Sequence, residues 1–258
     1  LKKKEIKSLI KIMMKRRTKQ LAKVRIMIKL MLVNIMLTLY YIRLSDVSPS
    51  GGMLAGIKKA AGRVRREKET GRRLLYFVLT RILHWKPEEI RLYLNEHGKP
   101  YLKTDVPLFF NISHSGELVV CVFSDMEVGV DVEKIGKERL AVAERFFHPE
   151  EVALLLKVPE KERTELFFRY WSAKESVLKY KGTGLSASLS SFCIRWEGKK
   201  AGIYGESGRL PLFLRECSLD KGYKCFICSE QTVPPGLHPL TEDEIRTEDF
   251  IGYTDLLL

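Results

Sequence analysis

The sequence predicts an α+β fold built in two halves. Apolar residues recur at three- and four-residue spacing in two separate stretches, one ending near residue 84 and one at 163–180, which is the period of a helix buried along one side. Between them lie short runs of strand-forming residues, among them Leu118–Phe123 and the alternating Val128–Glu133. The resulting order of helix, strands, helix and strands is that of two α+β halves. A chain of 258 residues is long enough to bury the core that this plan needs.

The first segment is set apart by charge. The chain holds 45 Lys and Arg against 32 Asp and Glu, a net +13. Residues 1–30 contribute twelve basic residues and one acid, +11, whereas the other 228 residues carry 33 and 31, only +2. A basic balance over a whole protein would point to nucleic acid or an anionic membrane. Here it belongs to a leader, and the body is nearly neutral. Basic residues would fall on every side of a helix over 1–30. Residues 30–42 are apolar, but thirteen residues containing Asn34 are too few to span a bilayer, which takes about 20. Arg43 ends that run without a small-residue cleavage signal. The leader is expected to be a disordered or non-native extension, followed by a buried strand over 33–43. Five cysteines, an odd number without a secretory signal, imply reduced thiols and a cytoplasmic protein.

Residues 45–52 (SDVSPSGG) form a turn-rich loop. A long helix is expected over 54–84. Its second half buries Leu74, Leu75, Val78, Leu79, Ile82 and Leu83. Its first half is basic from Lys58 to Arg73, which is either a solvated face or an anion site. Pro87 ends the helix, a short strand covers 90–94, and Glu96–Pro100 turns. Asn111-Ile-Ser-His-Ser-Gly116 is expected to be a loop of small polar residues that can offer N–H, hydroxyl and imidazole groups to an anion. Strands at 118–123 and 128–133 follow, then helical pieces over 138–157 broken near His148-Pro149.

At 100° per residue, the helix 163–180 gathers Leu166, Phe167, Tyr170, Trp171, Val177 and Leu178 into one stripe. Lys174 falls inside the stripe, where its stem can snorkel; Glu175 sits on the flank, with Lys179 one turn on. Lys181-Gly-Thr-Gly184 stops the helix. Short strands continue to about Glu230, and the tail 231–258 is left unassigned. Cys225-Phe-Ile-Cys228 has metal or redox spacing, but in a strand residues three apart face opposite ways, so it is expected to be ordinary core.

Asp131 and Glu133 share one face of their strand and repel unless a cation or base neutralises them. Mg²⁺ suits hard oxygen ligands and phosphate substrates; the bland alternative is a solvated sheet face. Glu175 beside Lys179 is either a helix-stabilising i,i+4 pair or part of a site for a metal-bridged diphosphate. A Mg²⁺-dependent nuclease would want acid-x-Lys on one strand face, yet Lys134 points the other way from the acids. A nucleic-acid-binding module run by the leader would leave Asp131 and Glu175 without a role.

Five motifs occur in order: Phe110-Asn-Ile-Ser-His-Ser-Gly116, Gly129-Val-Asp-Val-Glu-Lys134, Arg145-Phe-Phe147, Trp171-Ser-Ala-Lys-Glu-Ser176 and Lys181-Gly-Thr-Gly-Leu185. Together they make the chain resemble the surfactin-type 4′-phosphopantetheinyl transferases over roughly 33–230. The resemblance implies two similar α+β halves related by pseudo-twofold symmetry, with coenzyme A in the cleft between them. The expected division is an extension at 1–30, an N-terminal half at 31–133 and a C-terminal half with tail at 134–258. It further implies Mg²⁺-dependent transfer of phosphopantetheine from coenzyme A to a serine of an acyl or peptidyl carrier protein, with release of 3′,5′-ADP. Carried over motif by motif, Asp131, Glu133 and Glu175 resemble the metal ligands, and Lys179 the lysine that contacts the phosphates. Asp131, Glu175 and Lys179 are the expected catalytic set, with Glu175 or a metal-linked water as base. Ser113 and His114 resemble the nucleotide-phosphate loop, and Lys99 of His97-Gly-Lys-Pro100 a further coenzyme A contact. Glu151 matches an acid that follows Arg145-Phe-Phe147. Arg72 and Arg73, with Lys58 and Lys59 behind them, resemble the 3′-phosphate clamp. A monomer is expected, with neither membrane nor nucleic acid as partner.

Overall fold

The computed structural model describes residues 37–45, 53–137, 139–184, 187–198 and 200–246, with backbone only for 53–61. What was expected of 1–30 and of 33–36 lies outside the described residues, as do the side chains of Lys58 and Lys59.

The first half is a sheet crossed by a long helix. Strands β1 (Leu37–Arg43), β4 (Phe109–Ser115) and β5 (Leu118–Ser124) are antiparallel neighbours in the order β1-β5-β4. Every residue of β5 is buried, and its alternation splits two cores. Cys121 and Phe123 face helix α1 (Met53–Phe77) and the π-helical turn Val78–Ile82, meeting Leu74, Leu75, Val78 and Leu79. Leu118, Val120 and Val122 face the other way, toward the second sheet. A small hairpin of β2 (Leu92–Leu94) and β3 (Pro100–Leu102) flanks this half.

The second half repeats the plan, the pseudo-twofold arrangement of an α+β fold. Strands β6 (Val128–Lys134), β10 (Phe213–Glu216) and β11 (Tyr223–Ser229) form a sheet in the order β10-β11-β6. Helix α4 (Glu160–Lys181) packs across it, preceded by α2 (Leu140–Phe146) and α3 (Pro149–Lys157). A third sheet, β7 (Cys193–Glu197), β8 (Lys200–Gly205) and β9 (Gly208–Arg209), leans on α4 through Ile194 and Ile203. Val128, Val130 and Val132 of β6 meet β5 in the core shared by the two sheets, so Gly129, Asp131 and Glu133 are turned toward α4. Cys225 joins that shared core and Cys228 the α4 core, on opposite faces of β11.

The chain changes sheet between Ser124 and Val128: β6 pairs with β11, with Asp131 opposite Phe226. Part of the tail returns to the first sheet. Strand β12 (Gly236–Leu240) pairs in parallel with β1, and Ile245 plugs the first core at 2% exposure. Among the described residues no helix is long and apolar enough to cross a membrane.

Candidate active site

The segment expected to be a loop, Asn111–Gly116, is strand up to Ser115. Its polar side chains do a strand's bonding sideways. Strands β4 and β6 share no main-chain ladder. Instead Asn111 Oδ1, Ser113 Oγ and Ser115 Oγ accept the N–H groups of Val130 (2.9 Å), Val132 (3.3 Å) and Lys134 (3.1 Å). Alternate residues of one strand thus satisfy alternate amides of the other and join the halves along one seam.

The same hydroxyls hold the acids. Ser113 donates to Asp131 Oδ1 (3.1 Å), and Ser115 donates to Glu133 Oε2 (2.9 Å). Trp171 Nε1 donates to Glu133 Oε1 (3.3 Å). From α4, Lys179 Nζ donates to Asp131 Oδ1 (2.6 Å) and Ser113 Oγ (2.8 Å). Helix and strand approach this closely because residue 129 is glycine. A Cβ there would lie 2.2 Å from Ser176 O and Tyr180 N. The helix then stops where Gly182 takes φ 64° and returns its N–H to Leu178 O.

Glu175 completes the group. Burial, and then the charges of Asp131 and Glu133, push its carboxyl up to about 7 against the pull of Lys179. Burial and Asp131 also raise Glu133. Three acids face one ammonium, and Asp131 Oδ2 is buried without a hydrogen-bond partner. An unpartnered carboxylate oxygen amid surplus negative charge is costly unless a cation completes it, so these residues fit a hard divalent metal such as Mg²⁺.

Two cavities open along strands β4 and β6. His114, on the face of β4 away from Ser113, lines one of about 230 Å³ with Lys68, Arg72, Phe110 and Ile112. Its Nδ1 lies 3.0 Å from Glu67 Oε2. Burial lowers the His114 pKa, Glu67 opposes that, and Lys179 and Lys68 add to it. Beyond Glu133, a cavity of about 400 Å³ is walled by Phe167, Trp171, Lys134, Lys137 and Arg139.

Other expected site residues lie apart. Arg73 follows Arg72 but points about 100° around the helix. It pairs with Glu69 (2.7 Å) and lines a separate cleft beside Glu242 of the tail. Lys99 is buried, and its ammonium donates to Glu127 (2.5 Å), Val128 O (3.0 Å) and Tyr180 O (3.2 Å). It ties the β2–β3 hairpin to β6 and the end of α4 rather than facing the acids.

Lys174 does not snorkel. It is fully buried and ion-paired with Glu151 at 2.8 Å, and it also donates to Phe192 O (2.7 Å). Glu151 Oε1 takes the Ile194 N–H (2.7 Å) and Oε2 the His148 N–H (3.0 Å). The sequence signal for this pair was a lysine at the centre of an apolar stripe with an acid in the preceding helix.

Comparison with known proteins identifies a family. Residues 127–228 match the model of the 4′-phosphopantetheinyl transferase superfamily, and residues 62–125 match that of the 4′-phosphopantetheinyl transferase N-terminal region. The two matches meet where the chain changes sheet. The 4′-phosphopantetheinyl transferase Sfp of Bacillus subtilis is 33% identical over 185 residues, 71% of this chain and 78% of that protein. The 4′-phosphopantetheinyl transferase gsp of Aneurinibacillus migulanus is 36% identical over 159 residues, 62% of this chain and 66% of that protein.

Proposed function

This chain belongs to the 4′-phosphopantetheinyl transferase superfamily, and from that premise we propose that it transfers the phosphopantetheine group of coenzyme A to a serine of an acyl or peptidyl carrier protein, releasing 3′,5′-ADP. The relatives lend no support to a nuclease. The corresponding cellular reading is a cytoplasmic monomer serving carrier proteins.

The observation that carries the site assignment is the buried, unpartnered Asp131 Oδ2, on a carboxylate whose charge acts on both Glu175 and Glu133. Asp131, Glu133 and Glu175 would hold Mg²⁺. When bound, that ion offsets the negative charge of the coenzyme A diphosphate and of the departing 3′,5′-ADP. Lys179, fixed by Ser113 and Asp131, sets an ammonium beside the diphosphate. Lys68, Arg72 and His114 give the neighbouring cavity the donors that a nucleotide phosphate needs. Glu175 is the proposed acceptor for the proton of the carrier serine.

Mass spectrometry tests the reading. A carrier protein incubated with this chain, coenzyme A and Mg²⁺ should gain the mass of one phosphopantetheine on its serine. An unmodified carrier protein in the presence of folded chain would overturn it.

A further inference from the structure

Beside the buried Glu151, His148, Glu150 and Cys193 bring a nitrogen, an oxygen and a sulfur ligand atom within 4.8 Å of one another. We propose that these three side chains form a second metal site, for Zn²⁺ or a similar thiophilic divalent ion, with water in the fourth position. It does not depend on the transferase reading.

Donor set and spacing both suit such an ion. Imidazole, carboxylate and thiolate on one tetrahedral centre are zinc chemistry, whereas Mg²⁺ takes oxygen alone. Cys193 Sγ and Glu150 Oε2 are 3.7 Å apart. With bonds of about 2.3 Å to sulfur and about 2.0 Å to oxygen, a tetrahedral centre separates the two atoms by about 3.5 Å. The pair is already near the edge length that the ion requires.

The ligands are also held in place. Glu151 bonds the N–H of His148 (3.0 Å) and the N–H of Ile194 (2.7 Å), so one fully buried carboxylate fixes the backbone beside two of the three ligands. Glu150 is oriented by Arg195, which donates to Oε1 (3.0 Å) and Oε2 (3.1 Å). Such outer partners are what aim a ligating carboxylate. His148 caps α3 by accepting the Glu150 N–H at 3.3 Å, a long bond that offers a metal little competition. Cys193 is buried, His148 half-buried and Glu150 exposed, so the open position faces solvent.

The proton balance is simple. The Cys193 thiol, pushed up to about 11 by burial and then by Glu151 and Glu150, is protonated at neutral pH. Forming the sulfur–metal bond breaks the S–H bond and releases that proton to buffer. The bound ion would clip the start of α3 to the start of β7, beside the Lys174–Glu151 pair.

Cobalt is the probe. The full chain, without a polyhistidine tag, stripped of metal and with thiols reduced, is titrated with Co²⁺ and followed by absorbance. One equivalent should produce a thiolate-to-cobalt charge-transfer band, which Zn²⁺ then removes. Cys193→Ser should abolish the band. Glu150→Gln, at an exposed position, should weaken the titration at least about tenfold. Asp131→Asn should leave the band in place. No charge-transfer band at saturating Co²⁺, or an undiminished band in Cys193→Ser, would overturn the proposal. If Cys193→Ser does not fold, an unchanged titration in Glu150→Gln overturns it just as well.

Discussion

At Glu175 a single side chain carries a pH signature. Its folded pKa, about 7, lies above the ordinary 4.5, so between those values the folded chain binds more protons there than the unfolded chain. Stability from this group is therefore full below about 4.5 and falls as pH rises through about 7. Glu175→Gln removes the titration and keeps the shape. In metal-free buffer the variant should match the parent near pH 4.5 and exceed it by up to about 3 kcal/mol above pH 7. Melting curves across that range check this. A constant difference would show that neither burial nor the charges of Asp131 and Glu133 raise the Glu175 carboxyl. The alternation of Val128–Glu133 made Asp131 and Glu133 legible as a pair, and the 100° count put Glu175 at the edge of the core. Asp131's unpartnered oxygen was not legible, since it depends on where Ser113 and Lys179 point.

Helix α4 is positioned by two devices of different visibility in the sequence. Gly129 lets it lie against β6; in Gly129→Ala the new methyl would stand 2.2 Å from Ser176 O and Tyr180 N. The helix must then lift, carrying Glu175 and Lys179 with it. Overpacking of this kind costs about 1–3 kcal/mol, and turnover should fall further than stability does. Calorimetry and a carrier-loading assay on the same preparation separate the two effects. The second device is the Lys174–Glu151 pair, one residue before Glu175. Lys174→Ala would strand a fully buried carboxylate at a cost of about 3–5 kcal/mol, whereas Lys174→Met with Glu151→Gln leaves no buried charge and keeps an amide oxygen for the Ile194 N–H, and should cost less. Denaturant titration of the single and double variants measures the contrast.

Periodicity found α4 itself, but it left Lys174 ambiguous because a lysine stem suits an apolar stripe whether or not its head escapes. The opposite failure occurred at Asn111–Ser115. Polar residues in a row read as loop, yet they form a strand whose side chains bond the amides of β6. Only the neighbouring strand reveals that use.

For the whole molecule, the sequence foretold a two-half α+β plan. Hydrophobic alternation marks a strand without saying which sheet it joins, so the pairing of β6 with β11 was not legible. The tail escaped for a similar reason: β12 is short and contains Pro239, and it is a strand only because β1 offers it an edge. Charge is the other feature at this scale. With +11 in residues 1–30 and +2 in the rest, removal of the leader should leave carrier loading within about twofold at constant ionic strength. Loss of turnover in a correctly folded chain starting at Met31 would make the leader part of the enzyme.

The central claim is that Asp131, Glu133 and Glu175, whose charges act on one another, hold Mg²⁺ for coenzyme A. Asp131→Asn tests it most directly, because the amide oxygen can still accept from Lys179 and Ser113 while the charge is lost. Without metal, parent and variant should melt within a few degrees of each other. In Mg²⁺ buffer, coenzyme A at about 100 times its dissociation constant should stabilise the parent by about 2.7 kcal/mol by mass action and the variant far less. An equal gain in both proteins would contradict the account.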